Sequence, residues 1–520
     1  GAGPESLRPW GTSRGEMGRL SATRFLFDDG RTWSVSEICF QPAWRQLEAL
    51  NSGRLTSVQL LNLHIDRFQR INRSINAIIK TDIERARERA NALDLMRSEG
   101  KILGPLHGLP MTVKETFDVE SMPASAGAPQ FAKRAKPVPD AVVVARARAA
   151  GAVIWGKTNV PYLASEWQSY NSLFGKTSNP YDTSRTPGGS SGGAAAALAS
   201  GLTPLEIGSD IGGSLRIPAH FTGVTSLKPT YGLISQIGHV PPSPDYPGEV
   251  DLNVVGPMAR TVRDLKLLRS VLQVGATGSS SNYSLSVNGM KFALWMDQTG
   301  WPLDNEMQKL IEEAAREISS AGGAVSMVKP DIDPDEVLDI YLSLLIPIVA
   351  MDIPSLQRAG LTILRPLLRW LQRFEKTPFT DGNWAVKAGL THWEWMQVDG
   401  RRTAVKRTMR EFFKSYDALL MPVSPTPAIF HNTKKGVLKR TFKVNGKNQP
   451  YASHLNWISL ASACHLPAVT LPIAQTRQRL PVGLQIVGAQ GEDAKLLDIA
   501  EAFEGLLGGY RRPRSDLGIA

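Results

Sequence analysis

Two glycine-rich turns between Gly188 and Arg216 hold the residue types best suited to chemistry. The first reads Gly188-Gly189-Ser190-Ser191-Gly192-Gly193, and the second reads Gly208-Ser209-Asp210-Ile211-Gly212-Gly213-Ser214-Leu215-Arg216. Glycine at this density either makes a flexible linker or lets backbone approach a ligand or adopt positive φ. The alanine-rich stretch from Ala194 to Ser200 suits a closely packed buried helix, and apolar runs flank both turns, so a linker does not fit. No Gly-Lys-Ser/Thr follows the glycines, which removes the Walker pattern, and a dinucleotide fingerprint lacks its preceding strand and downstream acid. Successive N–H groups along Asp210 to Ser214 can instead converge on one anion. A serine at the end of such a turn can attack a carbonyl while those groups hold the developing oxyanion.

A serine nucleophile needs a base. Among the eight histidines, His220 lies six residues beyond Ser214, but no Gly-x-Ser-x-Gly elbow surrounds the serine, because Arg216 stands where the second glycine belongs. Lysine is the other candidate, provided that burial keeps it neutral. Lys114 ends the strand-like apolar run Leu109-Pro110-Met111-Thr112-Val113-Lys114. It reads equally as a buried base and as a gatekeeper charge on an exposed sheet edge.

The elements that must position these residues are legible in part. Thr56 and Gln59 have capping-box spacing. Val58, Leu61, Ile65 and Phe68 then recur at helical intervals, and Glu84 to Arg97 reads as a second, charged helix. Asp140 to Ala149 reads as a helix closed by Gly151, followed by a strand from Ala152 to Trp155. The same grammar returns as a strand Lys291–Trp295, a helix Asn305–Ser320 ended by Gly322 and Gly323, and a strand Ala324–Val328. This alternation predicts an α/β fold with a large mixed, mostly parallel β-sheet covered by helices on both faces. Residues 335–415 read as an inserted helical region containing Trp370, Trp384, Trp393 and Trp395, and strand-like runs return from Tyr416 to Gly488.

The 520 residues carry a net charge of +11. No zinc finger, RNA-binding signature or basic zipper accompanies that charge, so no nucleic-acid partner is expected. The densest basic groups are Arg401, Arg402, Lys406, Arg407 and Arg410, spaced as a solvated helix face, and the stretch Lys434 to Lys447. The only cysteines, Cys39 and Cys464, have no framework spacing, which favours a reducing, cytoplasmic setting without a disulfide. Ile340 to Ala350 is the longest apolar run and is too short to span a bilayer. Apolar residues interleave with Arg358, Arg365, Arg369 and Arg373 over 340–373. A lid or a homodimer surface fits that pattern better than peripheral membrane contact. Residues 1–16 have the composition of an added leader, with Met17 as a natural start.

Several stretches together resemble the amidase signature family. They are Gly104 to Pro110 leading to Lys114, Gly156-Lys157-Thr158-Asn159, Pro187 to Gly193, Asp210 to Pro218, Leu227 to Thr230, Gly256 to Thr261, Leu466 to Thr470 and Pro481 to Gln485. The likeness covers roughly residues 45–275 and 415–505. It implies Ser214 as nucleophile, Ser190 as a bridging serine after a cis Gly189–Ser190 peptide bond, and Lys114 as base. It further implies an oxyanion hole of the Ile211, Gly212, Gly213 and Ser214 N–H groups, with Ser191, Asp210 and Arg216 in support. The implied organisation is an N-terminal arm (1–40), one amidase-type domain (41–505) with the variable insertion 335–415, and a tail (506–520).

The resemblance also implies an amide substrate held between the segment before the first glycine turn and the variable region. The expected contacts are Tyr162, Leu163, Ala164, Trp167 and Gly189, joined by Tyr341 to Ile348 and by Leu364 to Trp370. No cofactor or metal is expected. Hydrolysis of a small carboxamide with an apolar or aromatic group is the leading reading, extending to esters or carbamates. An ammonia-supplying, glutamine-cleaving amidotransferase component is the alternative. A non-catalytic binding protein would require a broken triad, and all three positions are intact.

Overall fold

A computed structural model describes residues 24–26, 32–275, 285–351, 353–375, 377–434 and 436–514. The expectations for Met17 and residues 1–16 lie outside the described residues, as does the end of the tail.

The capping box at Thr56 forms: its side chain accepts from the Gln59 N–H, and the Gln59 side chain returns to the Thr56 N–H at 2.9 Å. From it runs the helix Ser57–Ile75, which buries Leu61 and Ile65 and packs Phe68 edge-on against Trp155. The charged helix Ile83–Ser98 lies beside it. Under this pair sits a three-stranded sheet in the order Ile78–Thr81, Val153–Thr158, Pro110–Lys114, whose last two strands are parallel. The helix before Val153 begins at Val142 rather than Asp140, because the Asp140 carboxylate is drawn away to the Glu120 N–H and Arg148. Gly151 turns the chain at φ +95°, and a Cβ there would fall 2.5 Å from the Cα of His107.

The large sheet has eight strands among the described residues. Their order is Ala324–Met327, Lys291–Leu294, Ala418–Pro422, Pro481–Val487, Ala468–Gln475, Thr225–Lys228, Val254–Ala259, Leu205–Asp210. Helices cover both faces. Val262–Leu272, Asn305–Ser320 and Asp493–Leu507 pack on Ile207, Leu227, Val255 and Leu484, while Arg216–Thr222, Pro334–Val349 and Ser459–Ala463 pack on Leu419, Met421 and Ala468. The α/β class and the mixed sheet are as expected, but the parallel share is smaller. Only Lys291–Leu294 has parallel neighbours, on both sides, and the five other pairings are antiparallel. Strand–helix–strand alternation produced parallel pairing where a crossover helix returned the chain, at 291–327. Elsewhere short connections, such as the turn between Gln475 and Pro481, reversed it.

Four helices fill 334–412: Pro334–Val349, Ser355–Gln372, Asp381–Ala388 and His392–Phe412. The first is buried in the core, and Arg365 and Arg369 of the second both pair with Glu394 of the fourth. No helix of the described residues is long and apolar enough to cross a membrane. The basic cluster on His392–Phe412 is not one solvated face. Arg402 is only 6 % exposed and pairs with Asp251 and Asp399, while Arg401 bridges Glu336 and Asp339. Cys39 and Cys464 are buried and unbonded.

The alanine-rich stretch is the helix Gly192–Ala199, buried along its whole length. It sits against the strand end at Asn159, and a Cβ on Gly193 would lie 2.2 Å from the Asn159 backbone nitrogen. Gly193→Ala should therefore push the helix off its seat and lower stability by about 1–3 kcal/mol, measured as a shift in the urea midpoint.

Candidate active site

Lys114 ends the strand Pro110–Lys114 and is fully buried. The strand is an edge of its own small sheet, but Leu205–Asp210 covers its free side. Thr112 donates its N–H to Thr203 Oγ1 at 3.2 Å and its hydroxyl to Glu206. The gatekeeper reading therefore fails. Lys114 Nζ lies 2.8 Å from Ser190 Oγ and 2.8 Å from Ser209 Oγ. Burial lowers its pKa to about 7, against the opposing pull of Asp210 and Glu206. A substantial neutral fraction is thus available near neutral pH, as a general base requires.

The first glycine turn presents Ser190 to that amine. The Gly189–Ser190 peptide is cis. Gly189 lies against the backbone of Glu166 and Gln168, where a Cβ would meet the Glu166 carbonyl oxygen at 2.4 Å. Ser191 joins the two turns: its N–H donates to the Ser214 carbonyl at 3.2 Å, and its hydroxyl donates to the Ser209 carbonyl at 3.3 Å.

Asp210 shapes the second turn. Its carboxylate accepts from the N–H groups of Gly213 (2.8 Å) and Leu215 (3.1 Å) and from the Arg216 guanidinium through both oxygens at 3.0 Å. Burial alone would raise its pKa, but Arg216 and these bonds hold it down at about 2. Arg216 is itself fully buried and also donates to Gln485 and Ser462. Asp210→Ala would leave that guanidinium buried without its counter-charge. It should cost roughly 3–5 kcal/mol in denaturant unfolding. Two further donors fix the turn's carbonyls. Tyr341 Oη donates to the Ile211 oxygen and Trp167 Nε1 to the Gly212 oxygen, each at 2.7 Å.

Ser190, Ser209 and Ser214 share the floor of one cleft of about 610 Å³. Its walls carry Tyr162, Leu163, Ala164 and Trp167, as anticipated, together with Leu342, Leu345, Ile346 and Ile348. Gly189 does not line the cleft, because it lies behind the wall against Glu166. Leu364 to Trp370 do not line it either: they belong to the outer helix, where Leu364, Leu367 and Trp370 are exposed. His220 is buried outside the cleft. It donates from Nε2 to the Thr426 carbonyl and accepts the Gly483 N–H at Nδ1, so neither nitrogen is left for Ser214. Sequence reasoning did not single out Ser209 or His239, nor Phe379, Trp384, Val437 and Leu438, which complete the cleft. Ser209 stands inside a recognised motif, but nothing in its type marks it as a partner of a lysine 95 residues away.

Comparison with known proteins places this arrangement. A family model described as Amidase matches residues 59–497. The chain belongs to the amidase signature family. Among its relatives, this amidase is 30% identical over 497 residues to a component of the glutamyl-tRNA(Gln) amidotransferase of Prochlorococcus marinus, covering 89% of this chain and 96% of that one. Among solved structures, it resembles one described as an amidase, with a TM-score of 0.72 and 30% identity over 90% of this chain and 100% of the other. It also resembles the peptide amidase of Stenotrophomonas maltophilia, with a TM-score of 0.70 and 26% identity over 92% and 99% of the two chains.

Proposed function

We propose that this amidase cleaves the C–N bond of a carboxamide bearing an apolar or aromatic group, through an acyl-enzyme on Ser214. The observation that carries the reading is a fully buried lysine 2.8 Å from Ser190 Oγ on the floor of the cleft that also holds Ser214. Neutral Lys114 takes the Ser190 hydroxyl proton as Ser190 takes that of Ser214. Ser214 Oγ attacks the carbonyl carbon, and the oxyanion is held by backbone N–H groups of the turn. The Gly213 N–H is committed to Asp210, so the donors are those of Ile211, Gly212 and Ser214. Collapse of the intermediate breaks the C–N bond, and the amine leaves with a proton returned along the relay. Water then hydrolyses the ester by the same route. Esters and carbamates present the same carbonyl and are expected substrates too.

The likeness to an amidotransferase component favours a second reading, glutamine cleavage for a partner. Glutamine brings an ammonium and a carboxylate, and both need polar partners when desolvated. The inner wall here is Leu342, Leu345 and Ile346, and Glu166 is already paired with Arg440. The remaining charged lining residues, Asp381 and Lys439, sit exposed at the mouth. Assayed alone on a panel of anilide, alkyl amide, ester, carbamate and glutamine, the chain should prefer the anilide to glutamine by about 100-fold or more in kcat/KM. Activity on glutamine alone, and only with an added partner, would sink the proposal.

A further inference from the structure

Lys114 has a second hydroxyl partner that the relay does not use. Ser209 Oγ lies 2.8 Å from Lys114 Nζ and 2.9 Å from His239 Nε2, and His239 Nδ1 lies 3.0 Å from the Pro241 carbonyl oxygen. A carbonyl can only accept, so Nδ1 carries the ring hydrogen and Nε2 of the neutral ring presents a lone pair. Burial, reinforced by Lys114, lowers the His239 pKa to about 3 and keeps the ring neutral. Ser209 must therefore donate its one hydroxyl hydrogen to His239, and it meets Lys114 only as an acceptor. A neutral amine has two N–H groups and one lone pair. One N–H is drawn to Ser209 Oγ and the other towards the Ser209 carbonyl at 3.4 Å, which leaves the lone pair for the Ser190 hydroxyl.

We propose that His239 is a positioning residue: acting through Ser209, it holds the Lys114 lone pair on Ser190. The inference rests on the Lys114–Ser190 relay proposed above. The ring is well placed for the task. Its segment is laced to the chain that continues from Lys114, with the Val240 N–H donating to the Thr116 carbonyl at 2.7 Å and the Asp118 N–H to the Gly238 carbonyl at 2.9 Å. Phe117 packs edge-on against the imidazole at 5.2 Å. Without His239, the Ser209 hydroxyl is free to turn its hydrogen onto the Lys114 lone pair and compete with Ser190.

His239 also lines the cleft, so the test must separate positioning from substrate contact. Steady-state kinetics of the full chain on an anilide would compare wild type, His239→Ala, Ser209→Ala, the double variant and His239→Gln. The expected result for His239→Ala is a loss of about tenfold or more in kcat with KM little changed. The double variant should be no worse than the poorer single variant, because both remove one linked unit. Gln, whose side-chain oxygen can accept near the Nε2 position, should recover most of the rate. Multiplicative losses, a rise in KM at unchanged kcat, or no recovery with Gln would overturn the proposal. If His239→Ala does not fold, His239→Asn takes its place, since its shorter amide falls short of Ser209. Failure of the underlying relay has a different signature, near-wild-type activity in Lys114→Ala.

Discussion

Ser214→Ala should lower kcat by at least about 10⁴-fold, while a substrate analogue still binds. The acyl-enzyme route has no substitute for the Ser214 oxygen. Ser190 is held by Lys114, and Ser191 is spent on the Ser209 carbonyl. The cleft keeps its apolar wall and the turn keeps its N–H groups, so binding should survive the loss of one oxygen. Asp210 and Arg216 hold the turn from below and do not depend on the Ser214 side chain. A variant with native unfolding behaviour and retained turnover would remove Ser214 from the mechanism.

Lys114→Ala should cost about 10²–10⁴-fold in kcat, the range expected for a lost general base. The pH dependence carries more information than the loss. The base works only when neutral, and burial lowers the Lys114 pKa to about 7. In the wild type, kcat/KM should therefore be level above about pH 7 and fall about tenfold per unit below it, as the amine gains its proton. The residual activity of Lys114→Ala should lack that inflection. A wild-type profile level down to pH 5 would mean that no neutral lysine is required.

Much of the site was legible because its chemistry is compressed into one stretch. The two glycine turns and the alanine-rich helix between them occupy residues 188–216, and their residue types alone pointed to an oxyanion turn ending in Ser214. Lys114 was different. A lysine at the end of an apolar strand looks the same whether its free edge meets water or another strand. What decides it is the strand Leu205–Asp210, which covers Thr112 from 94 residues away. Ser209 and His239 were missed for the same reason, since their roles exist only where three distant segments meet. Helices with clear periodicity and caps, such as Ser57–Ile75 and Asn305–Ser320, were found to within a residue or so. The basic helix face misled because spacing reveals a helix but not its neighbour. Arg402 faces Asp251 rather than solvent. Sheet direction misled because alternation of strand and helix was extended beyond the one region that has crossover connections.

The cleft supplies the substrate argument as the turns supply the chemistry. The helix Pro334–Val349 contributes most of the apolar wall, and its Tyr341 also holds the Ile211 carbonyl. Changes in that helix are therefore expected to act on substrate choice and on the oxyanion turn together.

The central claim is a covalent acyl-enzyme on Ser214, and mass spectrometry of the intact chain tests it most directly. After reaction with a slowly hydrolysed aryl carbamate, one carbamoyl group should be found per chain, on a peptide containing Ser214. Ser214→Ala should remain unlabelled. A modification on another residue, or labelling that persists in Ser214→Ala, would contradict the account.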